Sequence, residues 1–504
     1  MSLSPQTSEA RNNTSDNESK QSAPFTKPAP TRGKRDFYFS VWRWHFYAGL
    51  FVVPFAIILT ITGLIMLYHP TLEANLHPEK IYSQPESTLV AYETQAQNVL
   101  NAYAGKIAKF MPPKASNLSS IFHVKTDSGQ NLKVYVNPYT GQVLGDLSND
   151  NLYALANNIH GTLLIGDLGD WLMELAASFM ILLTITGLYL WWPSIEKGNS
   201  KWQAFKTALT LRSKEGSRVL WRDLHAIVGV FMVVFILGFC FSGLAWSGVW
   251  GGKLTQAWST FPVDTWGNGY YKSDTNLAAL YDQPNQPTHA SLNNGPVEEV
   301  SWNLEQAPMP VSGTDYGVDG IPAGFPVNLD SVTRLANSLG FTTYRVSLPK
   351  GETGVYTISA NTMSGDIKDA SQDRTMHIDQ YTGKILADFG YQDYNLAAKS
   401  MAYGVALHSG YMDTWNIVLN TVLCLLILLI CISGIVMWWQ RRPSKALTLK
   451  APPMPKNLSR WKQASVLMLV LSVFMPLASL CIIGLLCLDA LSARYLPRLK
   501  QAYQ

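Results

Sequence analysis

Four histidines recur in matched settings along this chain of 504 residues. His45 lies in "WRWHFYAGLFVVPFAIILTITGL" and His225 in "WRDLHAIVGVFMVVFILGFCFSGL". Each follows a Trp-Arg pair, precedes a glycine by one helical turn (Gly49, Gly229), and leads into a Thr/Ser-Gly-Leu. His45 to Gly63 and His225 to Gly243 are both 18 residues. At about 3.6 residues per turn that is five turns, so each histidine shares a helix face with its glycine. His160 in "NNIHGTLLIGDLGDW" and His408 in "ALHSGYMDTW" again sit just before a glycine (Gly161, Gly410) and a long apolar run. One histidine at a helix end is ordinarily an interfacial residue, but four in duplicated contexts point to shared chemistry. Imidazole is the common transition-metal ligand near neutral pH, and the iron of a b-type haem takes two of them axially.

The expected site is therefore two haem b groups with bis-histidine ligation. His45 pairs with His225 in an inner tier and His160 with His408 in an outer tier, with His69 as an alternative outer ligand. Gly49, Gly229 and Gly161 would let a flat macrocycle approach the backbone. Arg43 and Arg222, within three residues of the inner histidines, would pair with propionates. Placed at helix starts, all four imidazoles would feel a positive helix end that disfavours imidazolium. Zinc fits less well, because the outer tier has no Cys or clustered carboxylates to close a four-ligand site. No Cys-x-x-Cys-His occurs, which excludes covalent c-type haem. Gly63, Gly187, Gly243 and Gly434 read as helix-packing residues. His77, His123, His289 and His377 read as surface residues of polar segments. Asp167, Asp170 and Glu174 read as a polar cap.

The elements that must position these residues are membrane helices. The chain is 47% apolar and only 15% charged, against about 25% charged in a typical soluble domain. Five nearly uncharged runs exceed the roughly 18 residues that mark a spanning helix. The expected order is a disordered tail (1–36), a span (37–69), a polar module (70–169), a span (170–193) and a basic loop (194–222). A span (223–250), a longer module (251–410), a span (411–440) and a second basic loop (441–463) follow. A fifth span (464–488) and a tail (489–504) end the chain. Lys and Arg cluster in the first tail and both basic loops, which puts those on the cytoplasmic side and the modules outside. The formal net charge of +4 thus reports topology, and nothing in it suggests nucleic-acid binding.

Between the paired spans, "VYVNPYTGQVLGD" and "MHIDQYTGKILAD" alternate β-formers around a Tyr-Thr-Gly turn, which predicts a hairpin with glycine at positive φ. A helical stretch precedes each. The fold class is α-helical membrane protein with α+β modules, built as two tandem repeats of span, module and span plus a fifth helix. Residues 284–326 are extra Gly/Pro-rich loop in the second module. All five cysteines lie in spans, so no disulfide holds the modules.

The "H…G…TG" helices, "YTGxxL" turns and "LHxG…WW…RRP" close, over about residues 37–445, resemble the PepSY-associated transmembrane family. That family includes iron-regulated inner-membrane proteins and FoxB-type ferrisiderophore reductases. The resemblance implies a bacterial inner-membrane haem protein with periplasmic PepSY modules, in which His45, His160, His225 and His408 carry the family's histidine roles. It also implies an oxidoreductase that passes electrons to a ferric siderophore and releases Fe(II) for iron uptake. With no Gly-x-Gly-x-x-Gly and no flavin or nicotinamide domain, electrons would come from quinol or from a separate reductase docking on the basic loops. An alternative reading is a membrane-anchored modulator of periplasmic peptidases without redox activity. A third, a transporter, is disfavoured by the scarcity of ionisable residues at mid-depth.

Overall fold

The computed structural model describes residues 32–149, 151–193, 200–255, 287–293, 299–301, 303–314, 316–442, 452 and 458–495. Of the expected tail over 1–36, residues 32–36 already belong to a helix, while residues 1–31 lie outside the described residues, as do most of the basic loop over 441–463 and the final nine residues. With them go Lys27, Lys197, Lys445, Lys450, Lys456, Arg498 and Lys500.

The chain runs through α1 (Arg32–Leu76), a one-turn α2 (Pro78–Ile81) and α3 (Tyr92–Ala102). Strands β1 (Gly105–Met111), β2 (Ser120–Thr126), β3 (Asn131–Val136) and β4 (Val143–Ser148) follow, then α4 (Leu152–Thr162) and α5 (Asp167–Trp191). The second half has α6 (Lys201–Ala208), α7 (Ser217–Leu244) and α8 (Leu329–Ser338). Strands β5 (Arg345–Ser347), β6 (Val355–Ala360), β7 (Arg374–Asp379) and β8 (Ile385–Gly390) lead to α9 (Leu396–Ser409), α10 (Thr414–Arg441), α11 (Leu458–Leu471) and α12 (Pro476–Tyr495).

Among the described residues four helices, α1, α5, α7 and α10, are long and apolar enough to cross a membrane, so the chain is a multi-pass membrane protein. They pack as a ring in which α1 touches α5 and α10, and α7 touches the same two. Helices α1 and α7 therefore face one another across the bundle axis. The expected fifth span is corrected to two shorter helices, α11 and α12, parted at residues 472–475. Proline at position 476 has no N–H to continue a helix and disfavours helical backbone in the residue before it. Ser479 Oγ donates to Ser472 O at 2.6 Å and closes the turn.

At one end of the bundle the two polar modules form a single antiparallel sheet of eight strands, ordered β4-β3-β2-β1-β5-β6-β7-β8. The halves join through a short β1–β5 pairing, Lys109 opposite Ser347 and Phe110 opposite Val346. Both predicted hairpins form. Gly141 and Gly383 take φ of 71° and 69°, while Asn137 Oδ1 and Asp379 Oδ1 accept the turn N–H groups of Tyr139 and Tyr381. One face of the sheet buries Phe110, Phe122, Val134, Val346, Ile358 and Met376 beneath α3 and α8. These two helices cap one another. Asp330 accepts from Tyr92 N at 2.7 Å and Glu93 N at 3.2 Å, and Glu93 Oε2 accepts from Leu329 N at 3.3 Å. Each acidic side chain thus satisfies N–H groups that a helix start leaves unpaired.

The opposite face carries a buried ionic network across the seam. Glu299 pairs with Lys109 of β1 and with Arg345 of β5, and Arg345 also grips Asp366 through two hydrogen bonds of 2.7 and 2.8 Å. Burial alone would raise the Glu299 carboxyl, but Arg345 and then Lys109 hold it well below the usual range. Such a network adds little net stability, yet it tolerates only one docking of the two halves.

Three of the expected surface histidines are corrected: His123 on β2 is buried, and His289 and His377 form a buried pair. His289 is 1% and His377 0% exposed, with Nε2 to Nε2 at 2.9 Å. His289 Nδ1 faces Ala307 O at 2.8 Å, which can only accept. Its Nε2 therefore accepts the proton of His377 Nε2, and His377 Nδ1 accepts from Thr357 Oγ1 at 2.9 Å. Leu292, Leu304 and Met309 pack on Val355, Leu386, Ala387 and Phe389 and cover this face. Burial lowers His289 from 6.5 to about 4, and burial together with His289 holds His377 well below its ordinary value. Folded values below the unfolded value mean that the neutral pair stabilises above about pH 6.5, and that this contribution disappears as pH falls toward 4. The expected loss is on the order of 3 kcal/mol from His289 alone. Unfolding followed by tryptophan fluorescence should show it between those pH values, and a His289→Gln, His377→Gln variant should show a flatter profile.

Candidate functional site

The rings of His45 and His225 face each other across the bundle axis, centroids 6.4 Å apart and planes at 89°. Toward the sheet, His160 and His408 do the same at 6.3 Å and 79°. His45 and His225 belong to α1 and α7 themselves. The other two are not at the starts of spanning helices, as expected, but near the ends of the short α4 and α9. The chain then reverses through positive-φ residues, Leu163 and Leu164 in one half and Gly410 and Asp413 in the other. The helix-dipole argument is corrected with them, since the C-terminal end of a helix carries the opposite sign.

Hydrogen bonds from neighbouring helices set the chemistry of all four rings. Nδ1 lies 2.9 Å from Thr186 Oγ1 in His45, 2.9 Å from Thr62 Oγ1 in His160, 2.8 Å from Ser242 Oγ in His408 and 3.0 Å from Ser433 Oγ in His225. Each hydroxyl already donates its proton along its own helix. Thr186 donates to Leu182 O, Thr62 to Ile58 O, Ser242 to Gly238 O and Ser433 to Ile430 O. The oxygens can then only accept, so the ring proton sits on Nδ1 and the Nε2 lone pair is left for a ligand. Among the described residues no hydrogen bond reaches these Nε2 atoms.

The glycine after each hydroxyl is part of the same device. A methyl on Gly187 would stand 3.2 Å from His45 Cε1, and methyls on Gly63, Gly243 and Gly434 would stand 3.7, 3.5 and 3.6 Å from the Cε1 of His160, His408 and His225. Reading these glycines as helix packing alone missed their second role. The signal was in the sequence, because Thr-Gly or Ser-Gly occurs once in each spanning helix.

The expected macrocycle fits this arrangement. With metal–nitrogen bonds of about 2.0 Å and about 1.1 Å from nitrogen to ring centre, two collinear imidazoles on one metal have centroids about 6.2 Å apart. No three His, Cys, Asp or Glu converge among the described residues. Two protein ligands per tier suit a group that brings its own equatorial nitrogens. Around Gly161 and Gly229 an added Cβ would meet nothing within 4 Å, while Gly49 makes only an ordinary contact with Leu183 at 3.8 Å. His69 is not brought to another imidazole; its ring packs on Tyr153 at 5.4 Å.

The arginines divide differently from expectation. Arg222 is engaged by Asp223 at 2.9 Å, a carboxylate that also binds Arg212 at 2.8 Å. Arg43 donates to Pro452 O and Tyr47, and its buried Nε has no partner among the described residues. Arg441, which sequence reasoning passed over, lies over the rings of Trp42 and Phe46 at 5.4 and 5.2 Å, also with a buried Nε lacking a partner among the described residues. It follows Gly434 by seven residues, about two turns, and so shares the face that meets His225. Two of the three acidic residues of α5, Asp170 and Glu174, form a cap. Asp170 accepts from Gly248 N, and Glu174 from Val249 N and Trp250 N.

A sequence-family model described as the PepSY-associated TM region matches residues 42–441, which include all four histidines and both halves of the sheet. No curated protein matches the chain.

The glycine contacts generate a contrast. Gly187→Val should push the His45 ring off its partner, whereas Gly238→Ala, with nothing within 4 Å, should leave both tiers intact. With the expected macrocycle in each tier, haem quantified per polypeptide after purification would fall by about half in the first variant and stay unchanged in the second.

Proposed function

From the premise that the chain belongs to the PepSY-associated TM region family, we propose that it is a haem b electron-transfer protein that reduces a periplasmic ferric complex. Ferrisiderophore reduction with release of Fe(II) is the form this takes. The observation that carries the reading is the pair of facing imidazole couples, each with its proton held on Nδ1 by a hydroxyl that can only accept. When bound, haem supplies one-electron exchange at its iron. The chain's own residues hold the ligand tautomer, orient the rings and exclude water.

Depth supports transfer across the bilayer. His45 and Thr62, the partner of His160, are 17 residues apart on α1, about 25 Å at 1.5 Å per residue. The tiers thus lie near the two faces of a hydrocarbon core about 30 Å thick. Arg43, Arg212, Lys214, Arg218, Arg222, Arg441 and Arg442 gather at the end away from the sheet. By the positive-inside tendency that end is cytoplasmic and the sheet periplasmic, in a bacterial inner membrane. The donor is a quinol or a separate reductase attracted to that basic end. Held by His45 and His225 in one tier and by His160 and His408 in the other, haem would supply the one-electron exchange between that donor and the Fe(III) of the complex, one electron for each Fe(II) released.

Oxidised and reduced visible spectra of the purified protein test this, and a colourless preparation from haem-replete cells would sink it. Within the reading, His45→Ala and His225→Ala should each remove the same haem, so the double variant loses no more than either single one. His160→Ala and His408→Ala should together define the other. Near-perpendicular ring planes predict strongly anisotropic low-spin ferric signals in electron paramagnetic resonance.

A further inference from the structure

Most of the arginines at the end of the bundle away from the sheet are committed. Arg212 and Arg222 share Asp223, and Arg212 also meets Glu215 at 3.6 Å. Arg442 lies over the rings of Trp438 and Trp439. Arg43 spends its terminal nitrogens on Pro452 O and Tyr47.

Arg441 is different. Its guanidinium makes no hydrogen bond or ion pair among the described residues, and its Nε is buried. The rings of Trp42 and Phe46 flank it at 5.4 and 5.2 Å. They hold the charge in place but accept none of its N–H groups in a conventional hydrogen bond. Arg218, which also makes no ion pair among the described residues, is close enough for its charge to act on Arg441. Two like charges drawn together, one with an orphaned buried N–H, ask for an anion.

The helices relate that anion to the inner tier. Gly434 stands beside the His225 ring, and Arg441 follows it by seven residues, while Arg218 precedes His225 by seven. Both backbones are thus two turns, about 10 Å, from the inner pair on the side away from the sheet. The Arg441 side chain closes much of that distance, because Trp42 and Phe46 lie within one turn of His45 on α1. In the other direction α1, α7 and α10 carry no charged residue between the two tiers. A carboxylate turned that way would be unpaired in an apolar layer. Haem b carries propionate carboxylates on one edge of its macrocycle. Between His45 and His225, that edge meets cations in one direction.

Resting on the haem reading above, we propose that Arg441 binds a propionate carboxylate of the inner-tier haem and so fixes which edge of the macrocycle faces away from the sheet. The planar guanidinium matches a carboxylate fork to fork, and Arg218 adds positive potential beside the pair. Arg222 is no part of this site, since Asp223 holds it at 2.9 Å.

Redox titration of the purified full-length protein from about pH 5 to pH 8, with resonance Raman spectra of the propionate bending region, tests the assignment. Arg441→Gln should move one of the two midpoint potentials downward, since a cation near the iron favours its reduced state. It should also make that potential rise as pH falls, because a carboxylate without its cation takes up a proton on reduction. The propionate band should shift with it. Arg441→Lys should restore the potential but not the band, and it carries the test if Arg441→Gln fails to fold. Arg222→Gln should leave band and pH dependence as in the wild-type chain. Two haems whose potentials, pH dependence and band ignore both changes at Arg441 would overturn this assignment alone, and so would an equal response in Arg222→Gln. A preparation without haem would remove the reading beneath it, and the assignment with it.

Discussion

Everything in the bundle depends on one constraint: a hydroxyl inside a membrane helix spends its proton on its own backbone. Thr62, Thr186, Ser242 and Ser433 each donate to a carbonyl one turn back, because no water at that depth offers a better acceptor. What remains is an oxygen that accepts. An imidazole from another helix must then present N–H there, and its second nitrogen becomes a lone-pair donor. Thus four unremarkable polar residues set the protonation of four histidines without a carboxylate. They do so at lower cost than burying a charge in lipid would require.

The second constraint is symmetry of role. In each tier one ring comes from the first half of the chain and one from the second, and the two halves meet again in the sheet through β1 and β5. A metal between the paired rings would lie on the line that relates the halves. The halves need not be identical for this to hold. The end of α4 packs so closely on α5 that a Cβ on Gly169 would stand 1.6 Å from Thr162 O. In the second half, Asn416 and Asn420 instead donate to the carbonyls of Leu407 and His408. Close contact and side-chain capping both bring a short helix to the same place. The seam network of Lys109, Glu299 and Arg345 completes the frame by fixing how the halves of the sheet meet.

Much of this could be read from residues in order. Uncharged runs marked the four spanning helices, because lipid tolerates little else over that length. The Tyr-Thr-Gly turns marked hairpins, because glycine at that position relieves a positive φ that is local to the turn. The recurrence of His45 and His225, and of His160 and His408, marked which imidazoles meet, and the structure pairs them in that grouping. Local backbone preference and hydrophobic length act over a few residues, so a linear reading captures them.

Other features were settled only when distant segments met. The partner of His45 Nδ1 is 141 residues away and that of His225 is 208 residues away, and nothing local names either. That α4 and α9 are separate helices depends on how they dock. The joining of two modules into one sheet needs a pairing of only two residues a side. The burial of His289 against His377, and the commitment of Arg222 to Asp223 while Arg441 is left near the ring face, likewise follow from packing. A chain by itself specifies which groups can bond and how far a helix must run; which donor finds which acceptor is a matter of three-dimensional proximity, and only the tertiary structure decides it.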